Sequence, residues 1–186
     1  TKSSVKSYSI DYELDHGTMV PLYFVNKKLS SYKLVHITYG MLPKIQLYKF
    51  GMCIRKAVEE SNVKAVLIAS GDLSHKLSDD GPYGYSPKGE VFDKKIISLL
   101  TEGDVLGVFN MDHTMVEKAA ECGLRSYYIM LGSMNGYRIK GHLLSYEGTF
   151  GVGYGVMSFT FEAGNVDIYS TILEENKKRF NEKIEN

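Results

Sequence analysis

The strongest constraint on this chain is an apolar run, an amphipathic stretch and a second apolar run in direct succession. Lys33 to Thr38 carries Leu34, Val35 and Ile37 and reads as a strand. Pro43 to Asn62 follows as a long helix, with Leu47, Phe50, Ile54 and Val58 at spacings of three and four, which gathers them on one face. Val63 to Ala69 is too short for a lone buried helix and β-branched enough for a buried parallel strand. Strand, helix, strand is the βαβ unit, whose strands run parallel in one sheet. The expected fold class is therefore α/β: a central mixed, mainly parallel sheet flanked by helices.

The remaining segments extend this reading. Pro21 to Leu29 continues from a polar motif as a short helix, and Pro is tolerated in an early helical turn. Gly81 to Gly89 holds two prolines and three glycines and is a loop, either a mobile surface loop or a lid over a pocket. Glu90 to Thr101 and Asp112 to Gly123 read as helices. Tyr127 to Met134 is apolar and stops at Asn135-Gly136. Tyr137 to Tyr146 and Gly153 to Phe161 form an expected antiparallel hairpin through Glu147 to Phe150. Asp167 to Glu185 is a final helix with Ile168, Ile172, Leu173, Phe180 and Ile184 apolar. No repeat or linker divides the chain, so residues 1–186 are expected to form a single domain.

Lys+Arg and Asp+Glu are both 22, a balance that leaves no electrostatic footprint for nucleic acid or an anionic membrane. No run approaches the roughly 20 apolar residues of a membrane span. The opening residues Thr1 to Lys6 lack the apolar core of a secretory signal. Two cysteines, Cys53 and Cys122, make no disulfide framework, and a reducing, cytoplasmic setting is expected.

Three polar motifs interrupt this scaffold. Leu14-Asp15-His16-Gly17-Thr18-Met19-Val20-Pro21-Leu22 precedes a helix, so Asp15 or Thr18 can cap it; His16 can equally be an imidazole held in one tautomer by a neighbour. On spacing alone the capping reading is preferred. Ala69-Ser70-Gly71-Asp72-Leu73-Ser74-His75 follows directly on an apolar strand, where open α/β sheets place their ligand crevice. Asp72, Ser74 and His75 therefore read as site residues. In Glu121-Cys122-Gly123-Leu124-Arg125-Ser126, Gly123 reads as a helix C-cap. A carboxylate there opposes the helix dipole and needs compensation from Arg125 or a metal. Cys122 alone reads as an inert thiol. His36, His113 and His142 fall at core or surface positions. Gly151-Val152-Gly153-Tyr154-Gly155 lacks dinucleotide-loop spacing and leads into a strand; its period-two glycines suit close packing against another element. Lys88 is not a phosphate-loop lysine, because no G-K-[ST] follows.

Taken together, these motifs, with Leu131-Gly132 and Ser145 to Tyr154, resemble the LigB-like class III extradiol dioxygenase superfamily. The nearest likeness is to its Memo-like branch, the AmmeMemoRadiSam system proteins. The resemblance implies a non-haem Fe(II) held by two histidines and a glutamate, with open positions for a catechol and O2. By motif, Glu121 corresponds to the metal-binding carboxylate. His75 corresponds to the pocket acid/base, and His16 to a second pocket histidine that orients substrate or dioxygen. Asp72, Ser74 and Cys122 line the substrate pocket, and Cys122 matches a cysteine of the Memo-like branch, whose dioxygenase activity is in question.

The family's two metal-binding histidines lie upstream of the Asp-His-Gly motif, and Thr1 to Glu13 contain no histidine. The chain is thus expected to be the C-terminal part of a LigB-like domain with an incomplete iron site and weak or absent catechol cleavage. The alternative is a non-enzymatic module holding a small aromatic or peptide ligand, in which Cys122 supplies thiol contact or copper affinity. A zinc site of His16, His75 and Cys122 ranks third. Oligomers are allowed by either reading.

Overall fold

The computed structural model describes residues 13–164 and 167–184. The expectations for Thr1 to Tyr12, and the end of the last helix at Glu185, lie outside the described residues. The fold is mixed α/β. In chain order it comprises α1 (His16–Asn26), α2 (Lys44–Ser61), α3 (Pro87–Glu102), α4 (Val105–Phe109), α5 (His113–Ala119), α6 (Leu124–Ser133), β1 (Tyr137–Glu147), β2 (Tyr154–Ala163) and α7 (Ile168–Ile184).

The apolar run from Tyr127 to Met134 belongs to α6, which lies at the centre of the core. Leu124, Tyr127, Tyr128, Ile129, Met130, Leu131 and Gly132 are all buried, so beyond its first turn the helix is enclosed on most of its circumference. Its main neighbour is α2. The two axes come close because both carry a glycine at the crossing: a Cβ on Gly51 would collide with the Ile129 carbonyl, and one on Gly132 with the Tyr48 carbonyl. The expected apolar face of α2 points inward at this contact, with Leu47 and Tyr48 fully buried. Helix α3 adds Phe92, Ile96, Leu99 and Leu100, while α4 adds Val108 and Phe109. Helix α7 closes this side with Ile172 and with Tyr169 stacked on Tyr48.

The expected hairpin is present: β1 and β2 pair antiparallel from Tyr137↔Ala163 to Glu147↔Tyr154, with a bulge between Leu143 and Ser145. It packs on α3. This pair is the one sheet among the described residues. The runs expected as parallel strands, Lys33 to Thr38 and Val63 to Ala69, are in place but enter no ladder. A strand is defined by its neighbour's backbone, and here neither run has one, so the expected central parallel sheet is not formed by the described residues.

Several boundaries move for local reasons. Helix α1 starts at His16, because the Asp15 carboxylate accepts a 2.8 Å bond from the Thr18 N–H. Helix α3 starts at Pro87 rather than Glu90, with Ser86 as cap and Pro in the first turn. The helix expected over Asp112 to Gly123 ends at Ala119, where Ala120 adopts a left-handed turn. Gly123 is therefore not a C-cap; it precedes α6.

The α2–α6 contact yields a stability prediction. Gly132→Val forces the helices apart and should cost roughly 1 to 3 kcal/mol, read as a lower midpoint in urea unfolding. An unchanged midpoint would contradict the close crossing.

Candidate functional site

The segment after the second apolar run is held on every side. Gly71 lies so close to Gly123 that a Cβ on it would strike the Gly123 backbone, and a Cβ on Gly123 would meet the Tyr127 ring. The Leu73 N–H donates to the Gly153 carbonyl at 2.9 Å, and the Gly153 N–H returns a bond to Ser74 at 2.7 Å. The His75 N–H reaches the Ala119 carbonyl at 3.0 Å, and the Leu77 N–H the Gly151 carbonyl at 2.9 Å. Below this loop sits Asp93 of α3, a fully buried carboxylate. It accepts the Ser74 N–H at 2.7 Å through Oδ1 and the Tyr146 hydroxyl at 2.7 Å through Oδ2. Loop, helix and hairpin thus share one acceptor. The bare Gly153 lets Asp93 approach, as the period-two glycines suggest, because a Cβ there would strike the carboxylate.

This scaffold draws the motifs together. The Ser70 hydroxyl donates to the Gly17 carbonyl at 2.6 Å, joining the first motif to the second. The Ser126 hydroxyl donates to the Ser70 carbonyl at 2.7 Å and the Tyr127 hydroxyl to Gly71 at 2.8 Å, joining the third. The Asp72 N–H faces the Cys122 Sγ at 3.2 Å. His16, Asp72 and Cys122 all line a cleft of about 570 Å³, walled by residues 34–39 and 66–72 and floored by Ile129 and Met130.

One nitrogen, one oxygen and one sulfur cluster where Asp72 and Cys122 line the cleft. Donor atoms of Asp72, His75 and Cys122 lie within 4.8 Å of one another. His75 Nε2 is buried, has no hydrogen-bond partner among the described residues, and lies 3.5 Å from Asp72 Oδ2. An imidazole nitrogen left without a partner beside a carboxylate and a thiol suits a first-row transition ion. The two-histidine, one-carboxylate set implied by the resemblance is not assembled by the described residues. His16 lines the cleft but stands outside the cluster. The Glu121 carboxylate accepts the Leu124 N–H at 2.7 Å and so caps the start of α6. The expected clash with a helix C-terminus is replaced by a favourable position at a helix N-terminus.

The other named residues divide between chemistry and support. The Ser74 hydroxyl is fully buried, donates to the Ala119 carbonyl at 3.0 Å and accepts the Lys76 N–H at 3.0 Å, so it holds the loop that presents His75. Two aromatic residues join the site without a signature in the sequence. The Tyr83 ring stacks on the His75 ring with centroids 4.9 Å apart, which brings the glycine-rich loop over the imidazole. The Tyr39 hydroxyl donates to the Cys122 carbonyl at 3.1 Å. Only the Pro82-Tyr83-Gly84 context, an aromatic in a turn-rich loop, could have drawn attention to Tyr83.

Burial governs the electrostatics. It raises the Glu121 carboxyl above the ordinary range, against the bonds from the Leu124 and Gly123 N–H groups that pull it down. It raises the Cys122 thiol, with the Asp72 and Glu121 charges adding to the effect. The Asp93 carboxyl is raised by burial, partly offset by the Tyr146 and Ser74 bonds.

With fold and site described, the family can be stated. The chain belongs to the family described as the catalytic LigB subunit of aromatic ring-opening dioxygenase, which it matches over residues 2–157. Among curated proteins it is 58% identical over 157 residues to Protein CA_C1420 of Clostridium acetobutylicum, covering 84% of this chain and 34% of that protein. It is 25% identical over 131 residues to a MEMO1 family protein of Methanococcoides burtonii, covering 63% of this chain and 47% of the relative. The chain therefore spans about a third of the first relative and under half of the second.

The buried Asp93 carries a pH prediction. Its carboxyl is raised in the folded state, so the native protein holds that proton more tightly than the unfolded chain. The stability from that proton is complete below the ordinary carboxylate range and is lost as pH rises through the raised value. Asp93→Asn should flatten this loss, measured as urea midpoints compared between pH 4.5 and 7.5. Parallel curves for the two proteins would exclude Asp93 as the source.

Proposed function

We propose that this chain carries part of a LigB-type metal and small-ligand pocket, with Asp72, His75 and Cys122 as its donor cluster. The observation that carries the reading is the convergence of three different donor atoms within 4.8 Å around a buried His75 Nε2 that has no hydrogen-bond partner among the described residues. By family membership the reaction would be Fe(II)-dependent extradiol cleavage of a catecholic substrate by O2. Bound iron would supply the open positions at which catechol and dioxygen meet. In this reading His75 holds the metal, in place of the acid/base role that the family motif implies, and His16 orients the ligand from the cleft wall. Tyr83 covers the imidazole, and Glu121 is the carboxylate that the family motif assigns to the metal. The described residues offer one imidazole to the cluster where the family uses two, so catechol cleavage by this chain is expected to be weak or absent. The occupant would be a small aromatic or peptide ligand. A cytoplasmic setting suits Cys53 and Cys122, which are both free thiols. No helix among the described residues is long and apolar enough to cross a membrane.

A second reading rests on Cys122 and Glu121. The thiol sits in the donor cluster, while the carboxylate is engaged in capping α6. That arrangement favours a non-enzymatic, Memo-like binding module that uses the pocket without ring cleavage.

Anaerobic titration of the Cys53→Ser protein with Fe(II) or Co(II) separates the readings. Binding of one ion per chain, a sulfur-to-cobalt charge-transfer band and protection of Cys122 from alkylation are expected, all lost in His75→Ala. Catechol turnover that disappears in Glu121→Gln together with iron retention supports the dioxygenase. Metal retention in Glu121→Gln with no turnover in either protein supports the binding module. Failure of any metal to protect Cys122 removes the cluster from both.

A further inference from the structure

His75 is fixed at its backbone but not by its ring nitrogens. Its N–H donates to the Ala119 carbonyl at 3.0 Å, and the Ser74 hydroxyl beside it binds the same carbonyl. Neither ring nitrogen makes a hydrogen bond among the described residues: Nε2 is buried without a partner and only approaches Asp72 Oδ2, at 3.5 Å. A metal-binding imidazole is ordinarily turned by a hydrogen bond on its second nitrogen, which fixes the ring plane and the aim of the ligating one. Without that bond, rotation about the Cβ–Cγ bond would carry Nε2 away from the donor cluster.

The ring that meets this imidazole is Tyr83. The two planes are 29° apart with centroids 4.9 Å apart, in the range of an offset stack. Tyr83 is 56% exposed, so its own loop and not the core holds it there. The base of that loop is closed by the Leu77–Tyr85 bridge, by the Ser86 N–H on the Lys76 carbonyl at 3.0 Å and by the Leu77 N–H on the Gly151 carbonyl. The tip is two linked turns, the Gly81 N–H donating to the Ser78 carbonyl at 3.1 Å and the Gly84 N–H to the Gly81 carbonyl at 3.3 Å. Pro82 restricts the backbone directly before Tyr83, and Gly84 directly after it turns at a φ of 71°, where a side chain would be strained. The Tyr83 hydroxyl makes no hydrogen bond among the described residues, so the ring and not the oxygen makes the contact.

We infer that Tyr83 is a positioning residue for His75: its ring face takes the place of the missing hydrogen bond and holds the imidazole in the plane that points Nε2 at Asp72 and Cys122. The feature required at position 83 is then a flat aromatic ring. The effect on metal affinity rests on the pocket proposed above; the orientation of the ring does not.

The test compares the Cys53→Ser protein with the same protein carrying Tyr83→Phe or Tyr83→Ala. Removal of an exposed side chain opens no cavity in the core, and the Phe variant keeps the stack. Carbon-13 relaxation of the His75 Cδ2–H bond is read first, without metal, with His75→Ala identifying the signal. Its order parameter should be about 0.85, as in rigid backbone, in the parent and in Tyr83→Phe, and fall below about 0.6 in Tyr83→Ala. Co(II) is then titrated anaerobically. Affinity should drop by about tenfold to a hundredfold in Tyr83→Ala, with a weakened sulfur-to-cobalt band, and be restored in Tyr83→Phe. A His75 ring as rigid in Tyr83→Ala as in the parent overturns the inference, and so does equal Co(II) affinity in those two proteins. A Phe variant that behaves like the Ala variant also overturns it, since the hydroxyl would then be the working group. A parent that binds no Co(II) defeats the metal reading instead, and the relaxation result alone then upholds or overturns the role of Tyr83.

Discussion

A single buried carboxylate organises the loop on which the site depends. Asp93 has no exposed surface, and its two oxygens receive the Ser74 backbone and the Tyr146 hydroxyl. Removing a carboxylate from water is costly unless its lone pairs are met, and here two donors from different elements meet them. The loop that carries Asp72 and His75 is thereby pinned to α3 and to the hairpin at once. His75 then needs no strain to face Asp72 and Cys122, since its own N–H is already held by Ala119. Polar positioning of this kind is specific, because a donor shifted by an ångström leaves a buried charge unmet.

The molecule has two unlike halves around that pin. On one side α2, α3, α4, α6, α7 and the hairpin close over a dense core of Tyr48, Phe92, Ile96 and Leu131. On the other side, α1 and the two runs at 33–38 and 63–69 expose apolar surface along the cleft. The donor cluster lies at the seam between the halves. A pocket built at such a seam draws on the core for rigidity and on the open side for access.

Much of the scaffold was legible because it follows from local periodicity. The spacing of Leu47, Phe50, Ile54 and Val58 identified α2, and the turn-bounded runs after Asn135 identified the hairpin. The three motifs signalled a shared site, and the hydrogen bonds of Ser70, Ser126 and Tyr127 join them. Glu121 was harder. Its sequence context, a helical pattern ending in glycine, suggested a C-terminus. A left-handed turn at Ala120 instead ends α5 before Glu121, and α6 begins at Leu124, which changes the sign of the dipole at that carboxylate. The parallel strands were legible as composition only, since a ladder is a property of two segments and not of one.

The amino-acid order alone determined several of the helices, though not α4 or α6, where the hairpin turns, and which polar residues are candidates for chemistry, because those features depend on neighbours within a few positions. Tertiary structure decided that Cys122 rather than His16 joins Asp72 and His75, that Ser74 supports while Tyr83 covers, and that Asp93 and Tyr146 hold the loop. Apart from the nearby His75–Tyr83 stack, those outcomes turn on contacts between residues far apart in the chain, where burial and directional hydrogen bonds, not local propensity, select the arrangement.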